Sequence, residues 1–171
     1  ERIGGHLEVP SARWLAEFRL EAGIPVWRYE LGGAALERRV VMPHRQNTAY
    51  TIYQLVGGSE PVRLELRPAV QFRAYEAPVD SPVPVRYDLT LGEGHYSIAA
   101  ADDGPALRLV VRGAEASFTS DERRLDELLY RVEESRGYAF AGALWSPGCF
   151  TLSLEPGTTV ALVASTEAEE V

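Results

Sequence analysis

The sequence predicts an all-β fold, an antiparallel β-sandwich with at most one short helix, and three observations carry that reading. Segments of strict alternation recur, as where Val62, Leu64 and Leu66 interleave with Arg63, Glu65 and Arg67, the period of a half-buried strand. Short clusters of turn residues stand between them, among them Gly32-Gly33, Gly57-Gly58-Ser59 and Asp102-Asp103-Gly104-Pro105, as expected of a sandwich or barrel. The 171 residues, 46% apolar and 25% charged, have the composition of an ordinary globular domain, so one domain over 1–171 is expected.

Taken in order, Val26, Arg28 and Glu30 alternate with Trp27, Tyr29 and Leu31, which puts two aromatics on one strand face and two charges on the other. Gly32-Gly33 turns that strand into an extended run over 34–42, giving a hairpin. Residues 47–56 are the clearest strand, so rich in β-favouring side chains that burial on both faces is expected. Residues 61–72 continue as a strand, and the three prolines between Ala77 and Pro84 place a long surface loop there. Extended pieces resume at 85–91, 95–101 and 107–112. The region 119–137 admits two readings. Thr119 and Glu122 have capping-box spacing and Leu125, Leu128, Leu129 and Val132 fall at helical intervals, whereas Leu128, Tyr130 and Val132 also alternate as a strand would. The reading adopted is a helical turn over 121–125, then a strand over about 127–134. Ser146-Pro147-Gly148 is read as a turn before strands at 150–154 and 160–164.

A net charge of −8, with 17 basic residues that are all Arg, argues against a nucleic-acid surface, which needs basic side chains to neutralise phosphates. No apolar run is long enough to cross a bilayer. Cys149 is the single cysteine, so no intrachain disulfide can form and the cytoplasm is the expected compartment. The start at Glu1-Arg2-Ile3-Gly4-Gly5 has neither a basic leader nor Met, and the chain reads as a piece of a longer one.

Catalytic chemistry is not legible. His6, His44 and His95 lack metal-ligand spacing, no Gly-x-Ser-x-Gly elbow is present, and Gly92-Glu93-Gly94 lacks the third glycine of a dinucleotide loop. No cofactor and no metal are expected. Glu133-Glu134 with Arg136 is the densest polar cluster near aromatics, a pattern that usually marks a solvated ion-pair face. Among Trp14, Trp27 and Trp145, the last stands beside the Pro147-Gly148 turn, where a large ring can sit at a loop tip.

Phe18, the run Gly23-Ile24-Pro25-Val26-Trp27-Arg28-Tyr29, the run from Leu36 to His44 with Gln46-Asn47-Thr48, Leu64 to Pro68 with Phe72 to Tyr75, and Glu133 to Gly137 with Ser146 to Phe150 together resemble the N-terminal domain of bacterial and archaeal glycogen debranching enzymes. The resemblance implies an antiparallel supersandwich placed before a separate (α/α)6 barrel that carries the amylo-α-1,6-glucosidase carboxylates. It implies a non-catalytic piece whose leading strands lie before anything like Phe18, so that the sandwich is incomplete on its N-terminal side. Ala141-Gly142, where the family has an acidic pair, and Ala74 and Glu76 depart from the pattern. The implied partners are the catalytic barrel and, through direct contact, α-glucan, with Tyr130, Glu133, Arg136 and Trp145 gathered on one rim. A mutarotase-type enzyme and a ligand-free interaction module are the competing readings.

Overall fold

The computed structural model describes residues 2–3, 6–7, 10–92, 94–100 and 104–167, with side chains from 11 onward. The chain forms β1 (Arg2–Ile3), β2 (His6–Leu7), a 3-10 turn (Pro10–Trp14), β3 (Leu15–Glu21), β4 (Ile24–Glu30), β5 (Ala35–Val41), β6 (Thr48–Gly57) and β7 (Val62–Leu66). There follow β8 (Asp88–Gly92), β9 (His95–Ala99), β10 (Leu107–Arg112), β11 (Ser117–Leu129), α1 (Arg131–Ser135), β12 (Ala141–Leu154) and β13 (Thr159–Ser165). An eight-stranded sheet runs β3-β4-β5-β6-β13-β10-β9-β8, a three-stranded sheet runs β11-β12-β7, and β1 pairs with β2. All pairings are antiparallel. The fold is the all-β, sandwich-like arrangement that the alternation predicts.

Cross-strand register explains which residues face the core. Phe18, Trp27, Arg38, Tyr53 and Val160 stand opposite one another in turn, so they share the inner face of the large sheet. Phe118, Phe150 and Leu66 form the matching row on the small sheet. The two rows meet through Tyr96, whose ring lies 4.3 Å from Phe118 and 5.2 Å from Phe150. Leu55, Ile98, Leu109, Leu152 and Leu154 fill the space between.

The outer face at β3–β5 is a charge lattice. Arg19 contacts Glu17, Glu21 and Glu37, and Arg39 contacts Glu21 and Glu37. Glu37 is buried between two guanidinium groups, and Val26 is fully buried on the same face; opposite it in the ladders stand Arg19 and Arg39, whose aliphatic stems can cover apolar surface. Arg28 pairs outward with Glu30 at 2.9 Å. The charges read from the alternation therefore point away from the core. β6 sits mid-sheet between β5 and β13, but most of its side chains are half-buried rather than buried on both faces.

Three expectations are corrected. The predicted helical turn over 121–125 is strand, and the predicted strand over 127–134 is strand only through Leu129 and gives way to α1 from Arg131. Ser120 and Arg123 face Gly148 and Ser146, and Leu125 and Leu128 face Leu144 and Gly142. At each place β11 advances three residues while β12 advances two, which is a β-bulge. A bulge puts residues i and i+3 on one face of a strand, so Leu125 and Leu128 imitate a helical period. Ser146-Pro147-Gly148 is likewise no turn but the interior of β12. Pro147 is tolerated because it lies opposite the first bulge, where regular ladder bonding is interrupted. The loop after β7 is not wholly superficial, since Val79, Val83 and Tyr87 are buried and Arg124 donates to the Val83 carbonyl at 2.6 Å. β3 had no counterpart in the sequence reading.

Candidate functional site

The β11–β12 ribbon ends in a tip built around α1. The Tyr130 N–H donates to the Phe140 carbonyl at 2.7 Å and closes the ribbon, while the Glu134 N–H donates back to the Tyr130 carbonyl at 3.0 Å to start the helical turn. The helix ends at Gly137, whose φ of 77° lies in the left-handed region where glycine carries no steric cost. The N–H groups of Gly137 and Tyr138 satisfy the carbonyls of Glu134 and Glu133. The Glu133-to-Gly137 run is thus first a helix stop signal. Gly142, behind the tip, has no room for a Cβ, because the Val79 carbonyl and the Tyr130 ring approach it.

Of the four residues expected on one rim, Tyr130, Glu133 and Arg136 come to this tip. Arg136 approaches Glu133 at 3.4 Å, with Arg136 exposed and Glu133 half-buried. Trp145 does not join them. It is 1% exposed, stands opposite Arg124 in the ladder, packs edge-on to Tyr87 at 5.4 Å and exchanges backbone hydrogen bonds with Val70. With no turn at Pro147, nothing lifts its ring to the surface, and the loop-tip placement is corrected to the core. The sequence reading missed the tip's apolar side chains: Val132 is 60% and Tyr138 65% exposed, with Leu129 and Phe140 also open to solvent. The available signal was a helix too short to have a buried face, with Val132 inside it and Leu129, Tyr138 and Phe140 flanking it.

The other tryptophans are not bare platforms either. Arg38 lies 4.2 Å over the Trp27 ring, Phe18 packs beside it at 5.4 Å, and Arg13 lies 4.0 Å over Trp14. Between the sheets a cleft of about 420 Å³ is lined by Trp14, Tyr29, Leu36, Arg38, Tyr53 and the full length of β7. Burial pushes the Tyr53 phenol above its ordinary value and does the same to the half-buried Cys149 thiol, so neither is poised as a nucleophile. Among the described residues no group of three His, Cys, Asp or Glu side chains could hold a metal ion. His6 lies outside the described side chains. No helix among the described residues is long and apolar enough to cross a membrane.

These features define an antiparallel β-sandwich domain whose most distinctive surface is a mixed apolar and charged tip. The model of the family described as glycogen debranching enzyme, N-terminal, matches residues 1–161, and the chain belongs to that family. No curated protein matches the chain.

Proposed function

We propose that this chain is the non-catalytic N-terminal domain of a cytoplasmic glycogen debranching enzyme and docks on the catalytic barrel of the same polypeptide through the α1 tip. The observation that carries this reading is the exposure of Val132 and Tyr138 beside Arg131, Glu133 and Arg136. Interdomain interfaces are partly polar, and exposed apolar side chains grouped within a few residues mark a surface that is covered in the working protein. Arg136 offers a planar fork to a carboxylate across the interface. Direct contact with α-glucan is the finer alternative at the same tip, with Tyr138 as the stacking ring.

The test substitutes Arg136→Glu and, separately, Tyr138→Asp in the full-length enzyme and in the isolated chain. Docking predicts lower thermal stability and lower activity on short branched oligosaccharides in the full-length enzyme, with an unchanged melting temperature in the isolated chain. Loss of glycogen affinity by the isolated chain, with full-length stability intact, would replace docking by glucan binding. No change in any readout would refute both.

A further inference from the structure

The two sheets are of unequal width, and the small one stops short of β3. Its last strand, β7, walls the cleft above Tyr29, Leu36 and Tyr53. Beyond it the core-side row of β3 is open. Leu15 is exposed, Phe18 is 56% and Leu20 65% exposed, although in the ladder they stand opposite Tyr29, Trp27 and Pro25 of β4. Among the described residues β3 pairs only with β4, and β7 only with β12, so an open strand edge borders this face at each layer. The molecule therefore ends in a step, where two strands of the large sheet, about 10 Å across, project past the small one with apolar side chains on the floor.

We propose that this step is the contact between two copies of the chain, which lap over each other about a two-fold axis running along the strands, midway between the layers. β3 of one copy then lies over β4 of the other, and β3 of each stands beside the free edge of the other's β7. The step fits its own copy because the width that projects and the width left uncovered are the same two strands, the self-complementarity that a two-fold contact needs. Phe18 and Leu20 of each copy are covered by Trp27 and Pro25 of the other, and the edges of β3 and β7 are shielded together. Each large sheet takes the level of the other copy's small sheet, so both layers continue across the contact at the ordinary spacing of packed sheets, about 10 Å. The opposite face of β3 does not serve, since its Arg19 is engaged with Glu17, Glu21 and Glu37 of its own copy and covering those charges would desolvate them. Seven residues in each of β3 and β4 make a face of roughly 10 Å by 23 Å. With side-chain relief and both edges, the two copies bury on the order of 1,000 Å², the lower end for a specific contact, so the association is reversible. The α1 tip takes no part, because β7 pairs with residues 150–154 of β12 and the tip joins the opposite end of that strand.

The experiment measures the molar mass of the 171-residue chain by analytical ultracentrifugation from about 1 to about 300 µM, the range in which a contact of this size forms, with amide exchange at both ends of the range. The mass is expected to double across it. Leu20→Glu, a change at an exposed site, should keep the chain monomeric at the highest concentration and leave its melting temperature at the lowest unmoved. Tyr75→Glu, in the exposed loop after β7, should leave association intact. In the unsubstituted chain, exchange over residues 15–21 and 62–66 should slow together with concentration, by at least about threefold, a reading that requires no variant to fold. A monomeric mass throughout would overturn the proposal. So would dimers that Leu20→Glu leaves unchanged, slowed exchange over 15–21 without 62–66, which is the mark of two β3 edges paired in one flat sheet, or slowed exchange over 129–140, which is association through the α1 tip. Arg136→Glu should leave the mass unmoved, so a failure of docking is read separately.

Discussion

Asp121 shows how single residues tie the two edge strands of the small sheet, β11 and the end of β7, to each other. It accepts from Arg123 at 2.6 Å and from Arg67 at 2.7 Å, and Arg67 also donates to its backbone carbonyl at 2.9 Å. These partners, Arg123 first and Arg67 second, hold its carboxyl below the usual carboxylate range. Arg19 first and Arg39 second do the same for Glu21. A carboxyl depressed in the folded state contributes stability that is full above its unfolded pKa, near 4, and is lost as pH falls toward the folded value. Asp121→Asn should therefore flatten the fall in melting temperature below about pH 4; an acid limb as steep as that of the parent chain would contradict the ion-pair account. Trp145→Ala should cost about 3–5 kcal/mol in urea denaturation, the usual penalty for emptying a core tryptophan site. Arg136→Ala in the isolated chain should stay within about 0.5 kcal/mol. The contrast between those two residues was not legible in the sequence. Both stand within a few residues of a glycine, and only the unbroken path of β12 through Pro147 decides that one is core and the other surface.

At the scale of elements, alternation was a reliable guide where the ladder is regular. The predicted strand at Leu107–Arg112 is β10 to the residue, and the Gly32-Gly33 hairpin joins β4 to β5 as expected. It failed on β11, because two bulges shift the period from two to three and the sequence carries no mark of where a bulge falls. Glu127 at the second bulge has a φ of 58°, a conformation that glycine would have advertised and glutamate conceals. β3 went unread because part of its outward environment comes from another strand, where Arg19 pairs with Glu37 and Glu21 with Arg39. The helix stop at Gly137, in contrast, has a local cause. Gly137→Ala should destabilise the isolated chain by about 1 kcal/mol and loosen the tip, seen as faster amide exchange at Tyr138; no change would mean that the left-handed turn does not hold the tip.

For the whole molecule, the sandwich class and the family were legible, since the motifs quoted from Phe18 to Phe150 lie within the matched span of residues 1–161. Tyr130, Glu133 and Arg136 share the tip because they are neighbours along the chain, and only Glu133 and Arg136 pair there, while Trp145 had to be placed by tertiary packing. The isolated chain is expected to show no hydrolysis of α-1,6-linked glucan, and turnover that survives purification and vanishes on replacing a single Glu would overturn the non-catalytic reading. The most direct test of docking is amide hydrogen exchange across residues 129–140, compared between the isolated chain and the full-length enzyme. The account predicts that this segment exchanges freely in the isolated chain and is protected in the full-length enzyme without any glucan present. Equal exchange in both would contradict it.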